Sequence, residues 1–170
     1  MSNWGFITGS MTIANKGPIL TSLDFKTAEE AGKDISDFIT TSQQSTLDNQ
    51  IQELTQIAKE NPHIPQGSEG KLKFNIVQTN APNVISNMGV NIMGSLRDVE
   101  GEKMIKQFMT WLKEVFGPDA LDKFNMEVET AIFRIDAHTL DRPVLVTFFE
   151  DTGWVFGPAL QKDIWTNKIN

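Results

Sequence analysis

The chain has 170 residues, of which 39% are hydrophobic and 22% are charged, and its net charge is −7. These values are typical of one globular domain with a buried core, and they exclude a disordered chain. The absence of cysteine excludes disulfides and thiolate metal sites, and with only two histidines we expect neither a bound metal nor another cofactor.

The first third of the chain reads as a strand followed by helices. Residues 4–13 alternate apolar and polar side chains, with Ile7, Met11 and Ile13 on one face, which predicts a half-buried strand. A helix is expected to begin near Thr27, and the polar run at residues 40–45 is expected to break it. A second helix then ends before Pro62. Its apolar stripe comprises Leu47, Ile51, Leu54, Ile57 and Ala58.

The rest of the chain predicts four strands and one strong helix. The strands cover residues 71–78, 89–97, 127–137 and 144–150. Between the second and third of these, Met104, Phe108, Trp111, Leu112 and Val115 predict a helix that Gly117 and Pro118 end. A short further turn of helix is expected within residues 119–125. From residue 153 onwards we expect an irregular or briefly helical tail.

This order predicts an α+β fold of the ferredoxin-like type, βαββαβ with an extra strand. Its antiparallel sheet would carry the helices on one face. We expect a single domain over residues 1–170, with a helical insertion at about 27–60 and a short tail from about 153.

The sequence contains no phosphate-binding loop, dinucleotide fingerprint, zinc spacing or serine-nucleophile motif. The sharpest catalytic candidates are Asp136 and His138. Residues two apart on a strand share a face, so a carboxylate and an imidazole there could serve as an acid–base pair. The alternative is that both are solvated polar residues at a strand end. No nucleophile or third ligand lies near them in sequence, which favours that alternative.

The three arginines, Arg97, Arg134 and Arg142, all fall at or near strand ends and suggest a patch for a small anionic ligand. The alternative is that Asp98 caps the following helix while Arg97 pairs with a surface carboxylate. Ser68 belongs to the loop Gly67-Ser68-Glu69-Gly70, whose glycines permit an anion-binding nest or an ordinary turn.

Tryptophan provides the candidates for a protein contact. Trp4, Trp154 and Trp165 lie near the ends of the chain, where exposed aromatic side chains would indicate a protein–protein interface. Docking of the chain ends on the body explains them equally well.

The expected location is the cytoplasm of a bacterial host. Residues 1–20 lack the pattern of a signal peptide, and no apolar run is long enough to span a membrane, so we expect no membrane partner. Nucleic acid is also not expected as a partner, because its binding depends on cationic side chains that neutralise phosphates.

Several segments together resemble a group of small, uncharacterised proteins of tailed bacteriophages. They are Trp4-Gly5-Phe6-Ile7-Thr8-Gly9, Gly67-Ser68-Glu69-Gly70, Leu96-Arg97-Asp98 and Phe108-Met109-Thr110-Trp111-Leu112. The resemblance covers roughly residues 4–112, with the helical stretch at 27–61 as an insertion. It implies a phage or prophage origin and carries no catalytic residue with it.

The leading hypothesis is therefore a non-enzymatic phage or mobile-element binding protein. It would act on a bacterial host or defence protein, or sequester a small anionic ligand. Three alternatives stay open: an immunity protein that neutralises a toxin with an acidic face, a small enzyme that uses Asp136 and His138, and a minor virion structural protein, for which self-association would be expected.

Overall fold

The computed structural model describes residues 3–16, 35–79 and 87–158, without the side chains of residues 35–45. The expectations for Thr27 and Trp165 lie outside these residues. Nine elements are present in the described residues. The strands are β1 (Trp4–Asn15), β2 (Lys73–Gln78), β3 (Asn87–Arg97), β4 (Met126–Ala137), β5 (Val144–Phe149) and β6 (Gly153–Pro158), and the helices are α1 (Ile35–Glu60), α2 (Gly101–Phe116) and α3 (Pro118–Asp122).

The six strands form one sheet in the order β2-β3-β1-β4-β5-β6, and every neighbouring pair is antiparallel. The α+β class and the antiparallel sheet are therefore confirmed. β1 lies at the centre, where Ile7 is paired with Gly94 of β3 and with Ile135 of β4. Because alternate side chains of a strand point to opposite faces, each strand has one set of side chains in the core and one set outside it.

α2 covers the inner face of the sheet, as its apolar stripe predicts. Phe108, Trp111 and Leu112 are fully buried, and the ring of Phe108 meets Phe133 of β4 edge-on at 5.4 Å. The helix ends before Gly117 and Pro118, as expected. At its other end the hydroxyl of Thr139 accepts a hydrogen bond from the backbone N–H of Gly101 at 2.6 Å.

α1 packs beside α2 on the same side of the sheet. The indole N–H of Trp111 donates to the backbone carbonyl of Ala58 at 3.0 Å, and the Trp111 ring also contacts Phe74 of β2. Beyond the end of α1, His63 and Asn61 hydrogen-bond the carboxylate of Glu114. These bonds hold the pKa of Glu114 below its ordinary value.

The predicted break at residues 40–45 is wrong, because α1 runs without interruption from Ile35 to Glu60. The polar run consists of threonine, serine and glutamine, each of which costs a helix only about 0.7 kcal/mol or less relative to alanine. It contains neither glycine nor proline. The segment therefore lacks a strong helix breaker.

The expected irregular or helical segment after residue 153 is also wrong in its first part. Residues 153–158 form β6, which pairs with β5 from Phe149↔Gly153 to Val144↔Pro158. Trp154 lies on the inner face with 4% of its surface exposed, and its indole N–H donates to the carbonyl of Phe116 at 3.2 Å. A tryptophan so buried is part of the core and is not available for a protein contact.

Candidate binding face

The side of the sheet opposite the long helices carries the candidate site. We call its central part the outer face and define it by outward-pointing side chains of four strands. It comprises Lys73 and Asn75 of β2, Asn91, Met93 and Ser95 of β3, Trp4, Phe6, Thr8 and Ser10 of β1, and Ile132, Arg134 and Asp136 of β4.

Large apolar side chains on this face are exposed. The exposed fraction is 74% for Met93, 57% for Ile132 and 49% for Phe6. In the strand register Met93 lies beside Thr8, and Ile132 lies beside Ser10. Short hydroxyl-bearing side chains of β1 thus separate the larger groups, and this leaves their flanks open as well as their tips.

The outer face has a different charge from the rest of the chain. Among its twelve residues only Lys73, Arg134 and Asp136 are charged, and none is glutamate, although the chain has a net charge of −7. Protein interfaces are enriched in tryptophan, phenylalanine, methionine and arginine and depleted in glutamate and lysine. The outer face has the composition of an interface more than that of a solvated acidic surface.

At one end of the outer face the two catalytic candidates line a shallow depression of about 320 Å³. Trp4, Phe6, Asp136, His138 and Leu140 surround it, together with Ala137. Trp4 is exposed, as the sequence suggested, with 37% of its surface accessible. The carboxylate of Asp136 lies 3.5 Å from the guanidinium of Arg134. Asp136 and His138 therefore share a site. The residues that line it include neither a second carboxylate nor a nucleophilic hydroxyl.

Arg97 and Ser68 come together beside the first residues of β1. The guanidinium of Arg97 pairs with Glu69 at 2.6 Å, and the backbone N–H of Ser68 donates to the carbonyl of Arg97 at 2.9 Å. The loop Gly67-Ser68-Glu69-Gly70 is thus fastened to the end of β3. Arg97 thus pairs with a surface carboxylate, which is the alternative to an anion site that the sequence analysis gave.

The sequence analysis offered Asp98 as a cap of α2, and the structure shows that it is not one. Its backbone has a φ of 57°, and its carboxylate accepts hydrogen bonds from the Ser68 hydroxyl and the Asn3 backbone N–H. The bond from Ser68 and the bond from Asn3 hold the pKa of Asp98 below its ordinary value. The residue turns the chain out of β3 and ties it to the start of β1.

The three arginines have separate environments. Arg97 is paired in the loop contact, while Arg134 lies on the outer face beside Thr8. Arg142 is exposed in the connection between β4 and β5.

Among the described residues, no group of three or more histidine, aspartate or glutamate side chains is placed to hold a metal ion. In the same residues no helix is both long and apolar enough to cross a membrane.

Sequence reasoning missed Met93, Ile132 and Phe6 as candidates, because it sought site residues only among polar side chains and tryptophans. The available signal was the strand alternation itself. Met93 lies between Ile92 and Gly94, and Ile132 next to Phe133, so both members of each apolar pair cannot face the core.

Comparison of the chain with protein-family models, with curated proteins and with solved structures gives no match.

Proposed function

We propose that this chain is a non-enzymatic binding protein that contacts a bacterial protein through its outer face. The observation that carries the proposal is the exposure of Met93, Ile132 and Phe6 on one side of a sheet whose other side carries the buried core. Several exposed apolar side chains on one face with a polar surround are typical of protein interaction sites. The resemblance to tailed-phage proteins supports a bacterial host or defence protein as the partner.

The dimensions of the outer face suit the centre of an interface. Four strands at about 4.8 Å spacing span about 14 Å, and the length of β1 from Trp4 to Ser10 adds about 20 Å in the other direction. Hot-spot residues cluster in such a centre, where they are surrounded by contacts that exclude water. Phe6 and Met93 are the side chains best placed to enter pockets of a partner.

A different protein suits this face better than a second copy of the chain. Two copies would bring together two bodies of net charge −7, and their mutual repulsion opposes association. A partner with a basic surface would instead be attracted over a distance, which speeds encounter. Arg134 and Asp136 then supply polar contacts at the edge of the apolar centre.

The depression beside Asp136 and His138 supports the enzyme alternative to a limited extent. An imidazole next to a carboxylate is capable of proton transfer. The depression has no further catalytic group among its lining residues, so we propose that Trp4 and His138 extend the contact surface for the partner. Turnover of any substrate that depends on His138 would contradict this part of the proposal.

We also propose that four of the six strands form a ferredoxin-like core. The order β4-β1-β3-β2 with antiparallel neighbours, and a long helix after β1 and after β3, supports this assignment. The hairpin of β5 and β6 would then be an addition at the β4 edge. Superposition of an experimental structure on ferredoxin-like domains would test it.

The binding proposal is tested with one variant on the outer face and one control outside it. Met93→Glu puts a charge at the centre of the face, and Ile57→Glu puts the same charge on α1, where Ile57 is also exposed, at 41%. Both variants should fold, because neither side chain is buried. Each is immobilised and exposed to a bacterial lysate, and the retained proteins are quantified and then purified for direct titration.

We expect a host protein that wild type and Ile57→Glu bind equally and that Met93→Glu binds about tenfold or more weakly, the effect of losing an interface hot spot. If every bound protein is insensitive to Met93→Glu, the outer face is not the binding surface. If ultracentrifugation shows a dimer that only Met93→Glu dissociates, the face is a contact between copies, and the proposal of a foreign partner fails.

A further inference from the structure

The sheet splits open between β4 and β5. Their ladder joins only residues 132–135 of β4 to residues 144–147 of β5. The earlier part of β4, from Met126 to Ala131, pairs with β1 alone, and the last residues of β5, Phe148 and Phe149, pair with β6 alone. The two strands therefore diverge and leave a wedge, which α3 closes from the helical side.

The wedge contains a cavity of about 420 Å³ with an apolar floor. This volume lies in the range of pockets that hold small organic ligands. The floor is built from the end of α2, from α3 and from the two diverging strands. Its side chains are Phe116, Leu121, Met126, Val128 and Phe148. The ring of Phe148 is braced edge-on against the buried Trp154, with ring centroids 5.2 Å apart.

The rim of the wedge is acidic. Glu127, Glu129 and Glu150 line the cavity together with one cationic side chain, Lys16. The ammonium of Lys16 is paired with Asp122 at 3.1 Å, and the three glutamates outnumber it at the rim. A bound group would therefore meet apolar side chains below and carboxylates at the mouth.

We infer that this wedge binds a small organic ammonium ion with an apolar body. The partly exposed Phe148 in the floor would cover the body, and removal of apolar surface from water favours binding. The carboxylates at the mouth would face the ammonium group, which can stay partly hydrated there. The inference concerns a different part of the molecule from the outer face and does not depend on the proposed function.

Other ligand classes fit the wedge less well. An anion would be repelled by Glu127, Glu129 and Glu150. A bare metal ion requires several oxygen ligands arranged around one point, and the described residues contain no such group. A neutral apolar ligand would gain only the floor and nothing from the rim. The floor and the rim together select for a ligand that carries both an apolar part and a positive charge.

The test compares a cation with a neutral molecule that has the same apolar body. Phenethylammonium and 2-phenylethanol are titrated separately into the full chain, and backbone amide NMR shifts are followed. We expect saturable shifts at Leu121, Val128 and Phe148 with phenethylammonium, and binding of 2-phenylethanol that is about threefold to fivefold weaker, as for loss of a partly exposed charge interaction. A capped Phe-Lys dipeptide amide forms a third arm.

Two variants assign the charge selectivity to the rim. Glu129→Gln and Glu150→Gln preserve the shape of exposed side chains, and their fold is checked by the dispersion of the NMR spectrum. The double variant should bind phenethylammonium about threefold to fivefold more weakly, while its binding of 2-phenylethanol stays unchanged. Met93→Glu, on the outer face, should affect neither probe.

The outcomes separate clearly. Absence of saturable shifts at the wedge with either probe overturns the inference, as does equal binding of the cation and the alcohol. Binding of the dipeptide amide alone would assign the wedge to a protein segment and overturn the assignment to a small ligand. Because Met93→Glu affects only the outer face, loss of partner binding and loss of probe binding are independent results.

Discussion

The contact between the 67–70 loop and β3 gives the sharpest prediction of stability. A Cβ added at Gly67 would lie 2.2 Å from the carbonyl oxygen of Arg97 and 2.6 Å from its backbone nitrogen. Ordinary contacts of a Cβ begin at 3.4 Å, so Gly67→Ala has to push the loop away from β3 by about 1 Å, a distance that breaks well-formed hydrogen bonds.

Two backbone hydrogen bonds cross this contact. The Ser68 N–H donates to the Arg97 carbonyl at 2.9 Å, and the Arg97 N–H donates to the Glu69 carbonyl at 3.0 Å. At about 0.5 to 1.5 kcal/mol each, their loss costs about 1 to 3 kcal/mol. The stiffer unfolded chain of the alanine variant returns up to about 1 kcal/mol. We therefore expect Gly67→Ala to lower the free energy of unfolding by about 1 to 2 kcal/mol.

Thermal unfolding provides the assay, with Gly157→Ala as the control. For a chain of this size, 1 kcal/mol corresponds to about 2 to 4 °C in Tm, so Gly67→Ala should lower Tm by about 2 to 8 °C. A Cβ at Gly157 meets nothing within 4 Å, so that variant should stay near the wild-type Tm. Equal Tm values for the two variants would refute the argument that the loop is packed against β3 by its backbone.

Two further predictions concern single hydrogen bonds. Trp111→Phe removes the N–H that satisfies the buried carbonyl of Ala58 and should cost about 1 to 3 kcal/mol in urea unfolding. Trp4→Phe should lower the free energy of unfolding by almost nothing. Equal losses for the two variants would contradict a stabilising bond between Trp111 and Ala58. Ser68→Ala removes the main cause of the low pKa of Asp98 and should raise that pKa towards its usual 3.8 in an NMR titration. Because the pKa is lowered on folding, Asp98 stabilises the fold above pH 3.8 and loses this effect as the pH falls through its folded pKa. Ser68→Ala should therefore reduce this stabilisation. An unchanged titration would show that Ser68 does not donate to Asp98.

The elements with strong periodicity were predictable from the sequence. α2 was recognised because its apolar residues recur at helical spacing and because Gly117 and Pro118 end it. The strands with clear alternation were found to within about two residues. In these segments local pattern and tertiary packing favour the same structure, so the pattern alone is sufficient.

β6 was missed because its sequence contains two glycines and a proline. Its pairing with β5 depends on the anchoring of Trp154 against Phe116 and Phe148, a contact that no local pattern reveals. A signal was nevertheless present: the run from Glu150 to Gly153 is a short, glycine-containing connection between two apolar segments, which is typical of a hairpin. The positive φ of Gly153, 77°, is the conformation that such a turn uses.

The candidate site was predictable only in part. Asp136 and His138 were expected to share a face, and they do line one depression. The alternation in β3 and β4 was enough to place Met93 and Ile132 away from the core, but whether that side of the sheet stays uncovered depends on where the helices pack, which the sequence of a single strand does not specify. The wedge depends on where the β4–β5 ladder stops, which is a property of two strands and a helix together.

The position of β1 has a consequence for biosynthesis. This strand is translated well before both of its neighbours in the sheet, β3 and β4. At about 5 to 20 residues per second, β4 follows β1 after on the order of 10 s. During that interval the apolar residues of β1 have no native partner strand, and an unpaired apolar strand of this kind is open to non-native contacts and aggregation.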